Sequence, residues 1–371
     1  MGQIDFKALL SIFLLLAVFS LVPALVYAGD GGGSEVSISN GILTVYIENE
    51  TGYDGVGTYT ICTGPYHPVP DQDVLQFGVD GDAWTSYNTV HILNETIGVK
   101  KDYITESDTV NINSCTGFSL CILDNVSPQI ELTQTRMVIR WSTPEGLNVT
   151  QDIEVLGSNW MDTYVRITMT VRNTNNTYFY NVGIRYLWDL KVAWNDGSWL
   201  RAVNPTSGWL NSEHIWSQPN FKYWEATDNP ADPTLIVCGS ITEPSMLSPS
   251  RPDNFIFGAW GPSGLYNNSW CYTINPSRQI ADTNLDSAVA YYWGPTTLKP
   301  DEKISVTAYI WVLPPRPVGG FIVDSAYALD SDGLTLANLW PILVVSCVLF
   351  GFAAHRAFRR FRLILQRRVL G

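Results

Sequence analysis

Lysine is nearly missing from the middle of this chain. After Lys7 only Lys100, Lys101, Lys191, Lys222, Lys299 and Lys303 occur, and charged residues make up just 15% of the 371 positions. The formal net charge is −13, and an acidic surface repels polyanions, so nucleic acid is not expected as a partner. Histidine is as scarce, with 4 in all, and there is no Cys-x-x-Cys or His-Glu-x-x-His spacing, which leaves a metal centre of the zinc type without support. Gly-x-Ser-x-Gly, a Walker loop and a dinucleotide fingerprint are missing too. Esterase, nucleotidase and redox chemistry therefore have nothing to stand on, and no cofactor is expected. Outside two apolar ends no amphipathic helical period longer than two turns occurs, which leaves strands as the building material.

The two ends give the chain an address. Leu9–Val22 is apolar, follows Lys7 and leads through Pro23 to Val26-Tyr27-Ala28, so residues 1–28 read as a signal peptide and 29–35 as a flexible leader; an uncleaved anchor is the alternative. Leu336–Ala354 is long enough, at about 19 residues, to cross most of a bilayer core. Arg356, Arg359, Arg360, Arg362, Arg367 and Arg368 follow it, which predicts a transmembrane helix at 336–354 and a cytoplasmic basic tail at 355–371 drawn to anionic membrane lipid. Cys347 lies in the span as a small apolar filler. Residues 314–335, opening with Pro314-Pro315-Arg316-Pro317, read as a stalk. The expectation is a single-pass cell-membrane protein with an extracellular domain at 36–313.

Within that exterior part stand six sequons, at Asn49, Asn94, Asn125, Asn148, Asn175 and Asn267, and several are expected to carry glycans. Exterior cysteines are Cys62, Cys115, Cys121, Cys238 and Cys271, an odd number that cannot all pair. Cys115 and Cys121 enclose a short Gly-containing loop and form the first candidate disulfide; Cys238 with Cys271 is the second. Each bridge would add roughly 2–4 kcal/mol. Cys62 is left either bonded or as a buried thiol. With 14 Trp and 18 Tyr, the composition suits a β-rich extracellular protein, and glycan-facing surfaces are aromatic in the same way.

Period-two alternation dominates the exterior part. Tyr180, Val182, Ile184, Tyr186, Trp188, Leu190, Val192 and Trp194 fall on one face of a long extended run, with Arg185, Asp189 and Lys191 on the other. Val165–Val171 and Leu147–Val155 alternate before it, and Asn173–Thr177 supplies a turn, so the three runs are expected to form a meander. Further strands are read at Ile42–Glu48, Tyr59–Cys62, Val74–Val79, Thr89–Leu93, Glu131–Trp141, Thr234–Cys238, Phe255–Trp260, Trp270–Ile274, Ala288–Trp293 and Ile304–Leu313. Trp194–Asp232 is poor in alternation and reads as a functional insertion, or else as short strands without a clear pattern. So many strands predict an all-β fold, a large antiparallel two-sheet sandwich.

The succession Ile38–Ile47, Leu147–Leu156, Tyr164–Thr174 and Asn181–Asp189 resembles the strand order of galactose-mutarotase-like supersandwich domains. That resemblance covers roughly Val36 to Leu313 and implies a two-sheet sandwich with a sugar-friendly concave face. It also implies a histidine near the end of the strand after the Asn turn, where this chain has Arg185-Tyr-Leu-Trp-Asp189, so the mutarotase catalysis does not carry over. Gly183-Ile-Arg-Tyr, Asp189 and Asn195-Asp-Gly also resemble an uncharacterised group of secreted β-sandwich proteins, which implies no activity.

Arg185, Asp189 and Lys191 on the polar side of the long strand, with Asp196 in the following turn, are the candidate carbohydrate-binding residues, since a charged row can hold hydroxyls; cross-strand ion pairing is the alternative. Asp71, Asp73, Asp80 and Asp82 do not fit an EF-hand spacing. Glu213, Asp228 and Asp232 are the acids a glycoside hydrolase could draw on. No catalytic pair is evident. The expected role is a cell-surface glycoprotein with a structural, adhesive or assembly function, whose partners are membrane lipid and other surface proteins or glycans; the alternative is a tethered carbohydrate-binding or carbohydrate-active domain.

Overall fold

The computed structural model describes residues 35–313 except 52–54, 109, 243–247 and 262. The expected signal peptide, nearly all of the leader, the stalk, the membrane helix and the basic tail lie outside the described residues. Among the described residues no helix is long and apolar enough to cross a membrane.

The strands, in chain order, are β1 (Glu35–Ser39), β2 (Leu43–Glu48), β3 (Tyr59–Thr63), β4 (Asp73–Leu75), β5 (Asn88–Asn94), β6 (Val99–Ile104), β7 (Ser119–Ile122), β8 (Gln129–Leu132), β9 (Arg136–Ser142), β10 (Leu147–Leu156), β11 (Tyr164–Asn173), β12 (Tyr180–Ala193), β13 (Trp199–Val203), β14 (His214–Ser217), β15 (Tyr223–Thr227), β16 (Ile236–Ser240), β17 (Asn254–Ala259), β18 (Ser287–Leu298) and β19 (Lys303–Leu313). They form two sheets of a sandwich. One runs β1-β2-β3-β4-β12-β18-β17-β14, with β5 to β7 extending from the first half of β12; the other runs β13-β15-β16-β19-β11-β10-β9-β8. Pairing is antiparallel throughout except between β6 and β7.

The alternating runs do what their parity requires. Val149, Ile153 and Val155 of β10 and Val165, Ile167, Met169 and Val171 of β11 point into one core, shared with Tyr180, Val182, Ile184, Tyr186, Trp188, Leu190 and Val192 of β12. The outer face of the β8–β11 region carries ion pairs, Arg136 with Asp152 at 2.8 Å and Arg140 with Glu131 at 2.7 Å; exposed pairs of this kind add little stability. The polar face of β12 is different. Leu187 belongs to a second apolar cluster with Tyr87, Ile256, Leu265 and Ala288, so β12 is covered on both sides. Gly183 shows how close the cover comes: a Cβ there would sit 2.3 Å from the Trp270 ring.

Several expectations need correction. The meander is not formed: β10 pairs with β11, but β11 pairs next with β19, and β12 crosses to the other sheet between β4, β5 and β18. A strand buried on both faces belongs at the middle of a sheet. Trp270–Ile274 is not a strand; this segment packs over β12, with Trp270 against Tyr292 at 5.2 Å. Glu131–Trp141 is two strands, because Thr133 N donates to Arg136 O and closes a turn. Trp194–Asp232 contains β13, β14 and β15, short strands rather than a bare loop.

The disulfide pairing also differs. Cys115 bonds to Cys271 across 156 residues, with Cα atoms 5.3 Å apart, while Cys121 and Cys238 keep thiols, as does Cys62. Cys121 sits on β7 beside Tyr103 of β6, and Cys238 lies opposite Trp311 in the other sheet, while their expected partners, Cys115 and Cys271, are bonded to each other.

Candidate functional site

Three aspartates converge where β12 ends. Asp189 lies near the end of β12 on the covered face, Asp196 follows in the turn after β12, and Asp286 immediately precedes β18, whose Ser287 pairs with Leu190. One carboxylate oxygen from each lies within 4.8 Å of the others. Backbone bonds fix the turn against the strands: Gln76 N donates to Asp189 O at 3.1 Å, and Ser287 N donates to Asp196 O at 3.1 Å. Asn195 anchors the loop through its own amide, which donates to Asp228 O at 2.8 Å.

The electrostatics of this cluster are unusual. Asp189 is 1% exposed, and one carboxylate oxygen of each of Asp189, Asp196 and Asp286 is buried without a hydrogen-bond partner. Among the described residues no Lys, Arg or His nitrogen approaches any of the three within 4.0 Å. The Gln76 amide donates to Asp196 Oδ2 at 3.1 Å. Burial, then the neighbouring Asp286 and Asp196, hold the Asp189 carboxyl well above the usual range. Burial and then Asp196 push Asp286 up to about 7. Asp196 is also raised by burial, against the opposing pull of Lys191 and the Gln76 bond.

Beside the carboxylates runs a row of half-buried rings. Phe77 stacks on Trp84 at 5.7 Å, and Trp84 meets Trp260 edge to face at 5.6 Å. Lys191 Nζ lies over Phe77 at 5.8 Å and pairs with Asp73 Oδ2 at 3.1 Å. Trp194, two residues before Asp196, is 58% exposed. Of the four residues singled out from sequence, Asp189, Lys191 and Asp196 therefore meet in one place. Arg185 does not join them. It is fully buried and donates to Tyr292 Oη at 3.1 Å, Ser269 O at 3.3 Å and Leu265 O at 2.7 Å, between the rings of Tyr87 and Tyr292. Asp286 was missed by sequence reasoning, since nothing near it in the chain marks it; only the β12–β18 register brings it to Asp189.

The other acids considered are committed elsewhere. Glu213 accepts from Tyr272 Oη at 2.5 Å and Asn275 N at 2.8 Å, Asp228 accepts from Thr234 N at 2.9 Å, and Asp232 is exposed. Asp73 is taken by Lys191 and by Val79 N, which donates to it at 2.7 Å.

A second polar cluster lies on the same sheet. His91 Nδ1 is 2.6 Å from Asp102 Oδ1, and Ser269 Oγ donates to Asp102 Oδ2 at 2.5 Å. The imidazole is stacked between Phe118 at 4.5 Å and Trp270 at 4.6 Å. The serine hydroxyl is spent on the aspartate rather than on the imidazole, so no nucleophile–base pair forms. Cys115 is close by but is locked in its disulfide and offers no thiolate. A neighbouring depression of 460 Å³ is lined by Asn113, Asn267, Asn268 and Tyr272 and holds no titratable pair.

The predicted glycosylation sites differ in how their amides are used. Asn125 and Asn148 are exposed; Asn49, Asn175 and Asn267 are partly buried. Asn94 is 6% exposed, and its Nδ2 donates to Phe179 O at 2.8 Å.

No family model and no curated protein matches the sequence. Among solved structures, the chain is similar to the galactose mutarotase related enzyme from Lactobacillus acidophilus, with a TM-score of 0.42 and 9% identity over 77% of this chain and 100% of that one. It is similar to an aldose 1-epimerase-like protein from Klebsiella pneumoniae, with a TM-score of 0.31 and 10% identity over 75% and 78% of the two chains. A polysaccharide lyase matches with a TM-score of 0.36 and 8% identity over 75% of this chain and 33% of its own length. Similarity to mutarotase-like proteins at low identity agrees with the resemblance of strand order and says nothing of activity.

Proposed function

We propose that the chain is a single-pass cell-surface glycoprotein whose β-sandwich binds carbohydrate without turning it over. The surface address rests on the two apolar runs, Leu9–Val22 and Leu336–Ala354, and on the basic residues that follow the second. The binding role rests on one juxtaposition, the half-buried rings of Phe77, Trp84 and Trp260 next to Lys191 and Asp196. Ring faces pack against the C–H faces of a sugar while an ammonium and a carboxylate bond its hydroxyls. Binding rather than turnover is favoured because Asp189, whose carboxyl is held well above the usual range by burial, is out of a sugar's reach, and because His91 has no nucleophile beside it. Glycans of neighbouring surface molecules would make such a module adhesive.

A glycan array probed with the purified full-length protein tests this. Retention of a glycan class, reduced at least tenfold in Trp84→Ala and in Lys191→Ala, is expected, with no product on chromatography of the bound sugar. No retained glycan, or retention unchanged in both variants, would overturn the reading. Release of reducing ends would replace binding by hydrolysis.

A further inference from the structure

Beneath the aromatic row, the geometry points to a divalent-cation site formed by Asp189, Asp196 and Asp286, with calcium as the ion. Clustered acids alone would not carry this. What adds to them is a set of buried carboxylate oxygens without a hydrogen-bond donor, Asp189 Oδ1, Asp196 Oδ1 and Asp286 Oδ1, with the fully buried Thr85 hydroxyl turned toward Asp189. That hydroxyl stabilises the Asp189 carboxyl in the charged form, while no other group among the described residues bonds it. A buried polar atom left without a partner costs free energy, and native proteins rarely keep one, let alone several at one spot. An ion at the centre would satisfy the carboxylates together.

Spacing and donor chemistry select the ion. Oxygens on opposite sides of a calcium ion stand roughly 4.8 Å apart, twice a typical Ca–O distance, so carboxylate oxygens within 4.8 Å of one another can share one such ion. The converging donors are carboxylate oxygens, a hard set suited to calcium or magnesium rather than to zinc or copper. Calcium tolerates the irregular arrangement of groups from separate segments, whereas magnesium demands near-octahedral order. Charge balance agrees: Lys191 is engaged with Asp73, which leaves no contacting cation for the three acids among the described residues. Gln76, whose amide nitrogen holds Asp196 and whose backbone N–H holds the Asp189 carbonyl, would position two of the ligands.

This inference shares Asp196 with the proposed sugar site but does not rest on sugar binding, and it is tested without sugar. Full-length protein stripped with EDTA is titrated with CaCl₂ by calorimetry and melted with and without calcium at pH 7.5. One ion per chain is expected, with Tm raised by about 2–4 °C at tenfold over Kd. Affinity should fall at least tenfold in Asp189→Asn and in Asp286→Asn and persist in Asp232→Asn, at an exposed site. The Asn variants keep the side-chain shape and relieve repulsion, so their calcium-free melting is expected at or above that of the parent. Should either fail to fold, Thr85→Val carries the same test, with weakened binding expected. Absence of a calcium response in the parent protein, or a response equal in the parent and every folded variant, would overturn the site. Failure on the glycan array would leave it untouched.

Discussion

Lys191 Nζ lies 3.1 Å from Asp73 Oδ2, although Asp189 and Asp196 are its neighbours along the chain. The pairing ties β12 to β4 and keeps the ammonium out of contact with the three-aspartate cluster. Both groups are largely buried, with side-chain exposures of 22% and 9%, so removing one partner strands the other. Lys191→Met is expected to cost roughly 1–3 kcal/mol, and Lys191→Met with Asp73→Asn less than the sum of the single changes. Urea unfolding of the four proteins measures the coupling; strict additivity would show that the pair contributes nothing.

His67 gives the fold an acid-side sensitivity. Its Nδ1 bonds the Val69 backbone, and its Nε2 is buried without a partner. Burial lowers its pKa below the ordinary 6.5, because a charged ring would be desolvated. The unfolded chain therefore takes up this proton first, and the stability due to neutral His67 is complete above about pH 6.5 and lost as pH falls from there toward the lower folded pKa. His67→Gln should flatten the melting-temperature profile over that interval, and an unchanged slope would assign the acid loss to other groups.

The Cys115–Cys271 disulfide, the one bridge among the described residues, closes 156 residues and staples the segment that covers β12 to the loop before β7. Chain entropy alone sets its contribution at about 5 kcal/mol. Cys115→Ser is expected to lower stability by several kcal/mol. A non-reducing peptide map should join the Cys115 and Cys271 peptides and leave Cys121 open to alkylation after unfolding. In the folded protein Cys62 should resist alkylation, as burial, then Asp73 and Asp71, push its thiol up to about 12.

What could be read from the sequence was local. The parity of Tyr180–Val192 assigned the core face of β12 correctly, because a two-residue period is a property of consecutive side chains. The same parity placed Asp189 and Lys191 together and led on to Asp196. It went wrong where sequence spacing stood in for space. Cys115 was matched to the nearby Cys121, whereas the chain folds Cys271 back onto it. Asp286 is visible only once β18 is laid beside β12, and Arg185 reads from sequence as a carbohydrate-binding candidate because the Leu265–Trp270 cover over it forms no ladder and so has no pattern. Likewise β14 and β15 lack alternation, one being mostly exposed and the other nearly all buried.

Glycan attachment should follow exposure of the amide. Asn125 and Asn148 present theirs at the surface, whereas the Asn94 amide is tied to Phe179 O and its Oδ1 accepts from Thr96 N at 2.9 Å. Glycopeptide mass spectrometry of protein from its native host is expected to find the first two occupied and Asn94 bare. An occupied Asn94 would mean that modification precedes folding of the β5 end.

Arg185 separates structural from binding roles on one strand. Its guanidinium bonds the carbonyls of Leu265 and Ser269 and the Tyr292 hydroxyl, and so fastens the cover segment to the middle of the sheet. Arg185→Met removes the donors, strips Ser269 O of its arginine bond and leaves Leu265 O only the longer bond from Asn268 N at 3.3 Å, a loss of about 3–5 kcal/mol by comparison with other broken buried charge networks. Lysine would not restore it, because an ammonium cannot reach three acceptors in the planar fork that guanidinium provides. Since the arginine touches none of the Asp189, Asp196 and Asp286 carboxylates, calcium affinity per folded molecule should be unchanged in Arg185→Met at a temperature where the variant remains native. Calorimetry beside urea unfolding decides the matter: weakened ion binding at full nativeness would make the cover segment part of the site, and undiminished stability would remove Arg185 from the framework.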